Sequence, residues 1–313
     1  MIPDLLAKIW RRRQKGSPAP NNIIEPIAHH FDASKTPTLY HYTSCSGAIG
    51  IVANQEFWLS DFSKTNDGSE FIYARDHFIR CYQSRSAFVE ETPRFLNTIN
   101  LINLEHSACM MIGCLTDRVD DFGLWGQYGD QFQGCMIGID ATWLEAEAGV
   151  AMRRVNYDLP YLEKFVEAGL MMLQSAYERS TTDLSELDEL SKFYLLDLFA
   201  FKDERFRFES EVRISRLVSR STETGELTDI GGHKSCGAST AQLPVLKRNG
   251  LYGLTEFIKL PLSDGSKSAI RSIRFGPNIS TENRMSVLQA VKDFDIEISD
   301  SDIPIRRKSA DQQ

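Results

Sequence analysis

Apolar and polar positions alternate with period two in several short stretches and recur at three- and four-residue spacing in longer ones. Strands and amphipathic helices are therefore both expected. Thr38-Leu-Tyr-His-Tyr-Thr43 predicts a first strand, after which Ser44 caps a short helix carrying Ile49 and Val52. Phe57–Asp61 predicts a second strand. Asn66-Asp67-Gly68 then predicts a turn into a helix over about 69–85, with Ile72, Phe78, Ile79 and Tyr82 near helical period. Further helix is predicted over Glu90–Leu104, interrupted at Pro93. The nearly continuous apolar run Ala108–Thr116 suits a buried strand. Gly134–Asp140 and Arg153–Tyr157 predict two more.

Two helical stripes follow. Leu162, Phe165, Val166, Leu170, Leu173 and Tyr177 form one; Leu184, Leu187, Leu190, Tyr194, Leu198 and Phe201 form the other. Together they predict a helical hairpin inserted between strands. Strands return at Glu211–Leu217 and Phe257–Leu260, separated by an excursion over 220–250 rich in Gly, Ser and Thr. Ser272–Phe275 predicts a late strand, and Ser280 caps a helix with Met285, Leu288 and Val291 turned inward. The fold class implied is α+β: mixed, largely antiparallel sheets flanked by helices, with an inserted helical hairpin.

This pattern sets the expected organisation. Residues 1–35 form an accessory arm and linker, 36–300 a single domain with its helical insertion at about 160–203, and 301–313 a flexible tail. In the arm, Leu5, Leu6, Ile9 and Trp10 precede a basic run, Arg11-Arg12-Arg13-Gln-Lys15. Either an amphipathic peptide for a partner, membrane surface or nucleic acid, or a short helix packed on its own domain, fits that run.

Composition narrows the class. The 313 residues are 42% apolar and 25% charged, which suits a globular chain long enough for a sizeable core. A formal charge of −8 argues against a surface that grips nucleic acid everywhere but leaves room for a local basic groove. The six scattered cysteines make no disulfide framework, no run of about 18 apolar residues spans a bilayer, and no signal-peptide pattern opens the chain. The expectation is a cytoplasmic protein.

Candidate chemistry lies in five segments. In Tyr40-His41-Tyr42-Thr43, alternation places His41 with Leu39 and Thr43 on one face and the two tyrosines on the other; His41 is a site residue or a satisfied core histidine. In Ser60–Glu70, Asn66 and Asp67 suit a turn, and Glu70 suits a first helical turn. Trp125-Gly-Gln-Tyr128, if helical, brings indole and phenol together as a platform for a ring ligand or as a plug over the sheet. Glu209, Glu211 and Arg213 alternate on one strand face, either as working carboxylates or as an edge-strand ion pair. Gly276-Pro277-Asn278 is an anion-binding helix start or a plain turn. The spacings of metal-ligand, P-loop and dinucleotide motifs are missing, so no metal is expected.

These segments in this order resemble the bacterial domain of unknown function 2971 family. The resemblance rests on Tyr40-His41-Tyr42-Thr43, Asn66-Asp67-x-x-Glu70, Cys114-Leu-Thr, Leu124-Trp125-x-x-Tyr128, Gly134-x-x-Ile-Gly-Ile-Asp, Phe208-Glu209-x-Glu211-x-Arg213 and Ile273-Arg-Phe-Gly276-Pro277. It spans roughly 255 residues. Gly68 stands where a proline is commoner, and Phe206-Arg-Phe208 where a tryptophan is usual. More loosely, the order resembles ADP-ribosyltransferases, with a histidine on the first strand and a Glu-x-Glu opening a late one.

That second resemblance implies an NAD-dependent ADP-ribosyltransferase-like enzyme of toxin or defence type, with NAD as co-substrate and a protein or nucleic acid as acceptor. Glu211 would stabilise an oxocarbenium-like ribose, Glu209 would orient or deprotonate the acceptor, and His41 would hydrogen-bond a ribose or the carboxamide. Tyr42, Trp125 and Tyr128 would complete the nucleotide pocket, Trp125 or Tyr128 stacking on nicotinamide. The arrangement requires His41 and Glu211 on one side of the sheet. The alternatives are a nucleic-acid-directed effector with a basic strip of Arg205, Arg207 and Arg213, and a non-catalytic nucleotide sensor.

Overall fold

β1 (Thr38–Thr43) is the strand around which the rest is organised. Each of its residues pairs in unbroken antiparallel register with β4 (Cys135–Asp140), from Thr38 opposite Asp140 to Thr43 opposite Cys135. The computed structural model describes residues 31–64, 68–84, 108–179, 194, 197–221, 223–250 and 253–304. The chain divides into two compact units. A sheet unit comprises Phe31–Asn66, Ala108–Val155 and Arg205–Gln313, and a helical unit comprises Asp67–Ser107 and Asn156–Glu204 with Met1–His30.

The sheet unit is a mostly antiparallel, unclosed sheet flanked by helices. β2 (Glu56–Asp61) follows β1, and β3 (Ala108–Thr116) pairs along one edge with β6 (Glu211–Arg220) over its whole length. β3's other edge is shared. β2 pairs with it at Ile112 and Met111, whereas β1 pairs with it only at Thr116. The sheet therefore forks at β3. β5 (Ala151–Arg154) and β7 (Leu227–Asp229) flank β6; β8 (Leu246–Gly250) and β9 (Gly253–Pro261) form a hairpin on β2; β10 (Ile270–Phe275) and β11 (Glu297–Asp300) extend the sheet beyond β4. Among the described strand pairs, only β10–β11 is parallel.

One face carries the main apolar core. Leu39, Leu59, Met111, Ile137, Ile139 and Ile214 pack there against helices α1 (Cys45–Asn54), α4 (Ala141–Glu147) and α6 (Thr281–Val291). Ser44 caps α1 as the sequence implies, its side chain accepting from Gly47 N at 3.1 Å. The opposite face carries a smaller cluster of Tyr42, Leu124, Trp125 and Met136 beneath α3 (Phe122–Gln127). Gly113 sits at the fork, where an added Cβ would lie 2.5 Å from the Phe57 ring and 2.8 Å from Leu59. Gly113→Ala is expected to destabilise the protein by about 1–3 kcal/mol through overpacking, read as a lowered urea midpoint.

The helical unit holds α2 (Gly68–Gln83) and α5 (Leu159–Arg179), the latter the first helix of the expected hairpin. Leu162, Phe165, Val166 and Leu170 are buried along its stripe. Phe165 stacks on Tyr194 at 5.0 Å, and a Cβ on Gly169 would lie 2.1 Å from Cε2 of that tyrosine. The arm over 1–30, the segment Glu90–Leu104, the stripe residues Leu184, Leu187 and Leu190, and the tail from 305 lie outside the described residues.

Four expectations need correction. The strand placed at Arg153–Tyr157 is Ala151–Arg154. Met285 is 60% exposed while Val287 and Val291 are buried: two residues are about 200° apart on a helix, so Met285 cannot share their face. The excursion over 220–250 contains two short strands, β7 and β8. β6 is an interior strand rather than an edge.

Candidate functional site

The smaller face of the sheet gathers most of the candidate residues. Thr116 joins Tyr40 and Glu211 into one cross-strand row, because it pairs with both. Cross-strand partners share a face, so Tyr40, Tyr42, Thr116, Glu211 and Arg213 all project to the same side. Glu209 reaches that side differently. It ends a 3-10 turn (Glu204–Glu209), and Ser210, at φ 43°, turns the chain into β6. Glu209 is therefore not on the strand with Glu211 and Arg213. Thr116 Oγ1 clamps this turn by donating to Glu209 O at 2.6 Å.

Both carboxylates are buried, Glu209 at 5% exposure and Glu211 at 3%, and their partners differ. Arg213, 2% exposed, grips Glu211 with Nε to Oε1 at 2.7 Å and Nη2 to Oε2 at 3.3 Å, a two-pronged charge-assisted contact. Its guanidinium also lies over the Phe62 ring at 4.9 Å. Glu209 Oε1 instead accepts from the phenol of Tyr128 at 2.6 Å, and Gln127 Nε2 donates to the same phenol oxygen at 3.1 Å.

α3 positions Tyr128 and Trp125. Asp121 caps this helix, accepting from Gly123 N and Leu124 N, and Tyr128 is its C-terminal cap. Trp125 is fully buried, set edge-on to Tyr42 at 4.9 Å, and its Nε1 donates to Asp120 Oδ1 at 2.8 Å. It is a plug over the sheet, with no ring face left for a ligand. Tyr42 is equally committed: its hydroxyl donates to Arg118 O and accepts from Asp121 N. Burial and the nearby Asp121 and Asp120 carboxylates push its phenol well above the ordinary range. Neither residue is free to hold a nucleotide as expected. An exposed ring beside Glu209 is instead its chain neighbour Phe208, 39% exposed, whose edge lies 3.5 Å from where a Gly123 Cβ would sit.

His41 faces the other way. It follows Tyr40 on a strand with no break in register, so its side chain leaves on the main-core side, edge-on to Phe57 at 4.8 Å. Its Nδ1 lies 3.2 Å from Cys114 O. That carbonyl sits between the β1 and β2 contacts of β3, so His41 bridges the fork. His41 and Glu211 thus stand on opposite sides of the sheet, and the four-way convergence of His41, Trp125, Tyr128 and Glu211 is not formed.

Burial lowers the His41 pKa below its ordinary 6.5, against the opposing pull of the Cys114 carbonyl. Below about pH 6.5 the unfolded chain takes up a proton there that the folded one does not, so folded-state stability falls as pH drops through that value. His41→Gln should flatten this part of the stability–pH curve relative to the native protein, measured by urea unfolding between about pH 7 and pH 5.

Comparisons of the chain with family models, with curated proteins and with solved structures find no match. The site therefore has to be read from its own chemistry.

Sequence reasoning missed three members. Thr116 clamps the 3-10 turn through its hydroxyl. Asp120, at φ 53°, accepts from Trp125, from Arg274 Nη1 at 3.2 Å and from Asp302 N at 2.9 Å. Burial raises its pKa, but the hydrogen bonds from Ser301, Trp125 and Asp302 with the Arg274 charge outweigh this and lower it. Phe208 supplies an exposed ring beside Glu209. The Asp120-Asp121 pair before Phe-Gly was the available signal, since acidic residues preceding an apolar run mark a helix start.

The remaining candidates resolve plainly. Gly276-Pro277-Asn278 is a turn docked by Gly276 N on Gly134 O and Asn278 N on Phe132 O, both 2.9 Å. Arg205 and Arg207 are exposed whereas Arg213 is buried against Glu211, so these three form no common strip. Asn66, Asp67 and the side chain of Glu70 lie outside the described residues. Among those described, no helix is long and apolar enough to cross a membrane, and no group of three or more His, Cys, Asp or Glu is placed to hold a metal ion.

Proposed function

We propose that the chain cleaves a nucleotide's glycosidic bond, with Glu209 as the working carboxylate and NAD as the substrate of first choice. The observation that carries this is the pair Glu209 and Glu211: two buried carboxylates, two residues apart, one meeting the Tyr128 phenol and the other the Arg213 guanidinium. Glycosyl transfer needs such a division, in which differing environments give two acids different tasks. Glu211, held by Arg213, supplies fixed negative charge. Glu209, held by a phenol, meets the reacting centre. His41 has no part in this version: it stands on the opposite face from Glu211, so the arrangement that required both on one side is not the one proposed.

The step is a substitution at ribose C1′. The bond from C1′ to the nicotinamide nitrogen breaks, its electron pair leaves with the ring, and neutral nicotinamide departs. Glu209 stabilises the positive charge that builds on the ribose. Water, or a hydroxyl of a macromolecular acceptor, then adds at C1′ and gives up its proton to the carboxylate. Phe208 offers an exposed ring to the base.

The test is incubation of the protein with NAD labelled in the nicotinamide ring, with and without cell extract, followed by separation of free nicotinamide. Release that disappears in Glu209→Gln supports the reading. Failure of NAD to bind, with no nicotinamide released, overturns it.

A further inference from the structure

The β2–β9–β8 end of the sheet carries an aromatic and cationic surface that the carboxylate site does not use. Trp58 pairs with Lys259, Ser60 with Phe257, and Thr255 with Arg248, so Trp58, Ser60, Phe257, Lys259 and Arg248 project to one face. The apolar partners Leu59 and Ile258 project to the other, into the main core. Trp58 stacks on Phe257 with centroids 4.6 Å apart and planes 30° from parallel, and it remains 42% exposed.

The cations are arranged around this indole. Arg248 Cζ lies 5.2 Å from the Trp58 centroid and 5.5 Å from that of Phe257, and Lys259 Nζ lies 5.7 Å from Trp58. Lys259 is matched by Glu56 at 3.1 Å, and Lys247 faces Glu256 at 4.0 Å. Arg248 differs. Its Nη2 donates to Ser60 Oγ at 2.9 Å, and among the described residues it faces no carboxylate. On this face Arg248 and Lys259 stand against Glu56, two minus one or +1, in a chain of net charge −8.

Shielding of an apolar surface by long cationic side chains is the ordinary reason for such contacts. It does not require a half-exposed indole, nor an arginine whose charge is left unmatched on the surface of an acidic protein. We infer that Trp58 and Arg248 form a binding site for single-stranded nucleic acid, the indole stacking on a base and the guanidinium meeting the neighbouring phosphate. An aromatic platform flanked by cations is how unpaired strands are held without sequence readout. β2 and β3 register places Ser60 on the same face as Thr116 and Glu211. A strand bound here lies on the carboxylates' side of the sheet, but the inference stands whether or not Glu209 is catalytic.

The test uses the full chain and a fluorescein-labelled 20-nucleotide oligothymidylate, read by anisotropy across a salt series. Binding in or below the range of about 10⁻⁴–10⁻⁶ M that falls with rising salt is expected. Trp58→Ala should weaken it about 5- to 150-fold, the loss of one stacked base. Arg248→Gln should weaken it and reduce the slope of log K against log salt by about one. Unchanged circular dichroism is expected for both, with the melting temperature unchanged for Arg248→Gln and slightly lowered for Trp58→Ala, whose ring also packs on Phe257. No binding by the native protein, binding unaffected by both substitutions, or equal competition by unlabelled duplex of the same length would each overturn the inference.

Discussion

Replacing Asp229 by alanine is expected to destabilise the sheet unit by about 3–5 kcal/mol, the cost of leaving a buried charge without its counterion. Asp229 is 1% exposed and Arg216 4%, with Nε and Oδ1 3.1 Å apart. That approach is ionic rather than an aligned hydrogen bond, since Nε has no hydrogen-bond partner of proper geometry. Burial lowers the Arg216 pKa, and the Asp229 charge opposes that shift. The pair also fixes the Gly-, Ser- and Thr-rich excursion. Asp229 accepts from Gly231 N at 3.1 Å and Leu243 N at 2.7 Å, and Arg216 Nη2 donates to Thr240 Oγ1 and Ala241 O. Urea unfolding checks the figure. The double substitution Arg216→Met with Asp229→Leu should recover part of the loss, because it removes both desolvated charges together but also the hydrogen bonds that hold the excursion. A single-mutant loss below about 1 kcal/mol would mean that water reaches the pair.

The second large effect is catalytic. Glu209→Gln is expected to lower nicotinamide release by about 10²- to 10⁴-fold, the range for removing a positioned acid–base carboxylate, with the chain still folded. Glutamine keeps the size of the side chain and an oxygen to accept the Tyr128 hydroxyl, but not the negative charge. Glu211→Gln acts through structure as well, because it removes one charge of the buried pair with Arg213. Comparing the two separates the roles. If Glu209→Gln retains full activity while NAD is still turned over, the working group lies elsewhere.

Much of the fold was legible in the pattern of residues. β3 runs from Ala108 to Thr116, as its apolar run implied, and β1 from Thr38 to Thr43. Cys109 is buried and Cys114 exposed, as their odd spacing on one strand requires. The same alternation rule placed His41 opposite the two tyrosines. It left open which face each strand's neighbours would adopt, because that depends on strand order and register.

The site was less legible for the same reason. Trp125 and Tyr128 share a helix, yet only the packing under α3 makes one a buried plug and the other a partner of Glu209. Glu209 and Glu211 look equivalent in an alternating pattern. The positive φ of Ser210 separates them, and a non-glycine residue there gives no local warning.

The sequence by itself determined the α+β class, most strand and helix positions, and the segments that hold the polar and aromatic residues. These follow from periodicity, capping and turn chemistry, which act over a few neighbouring residues. Only the tertiary structure decided that β3 forks between β1 and β2 and that His41 belongs to the fork while Glu209 and Glu211 belong to the opposite face. It also decided that Arg216 and Asp229 meet in the interior. Pairing between strands far apart in the chain joins residues whose spacing carries no local signal, and a change of register by one residue reverses every face.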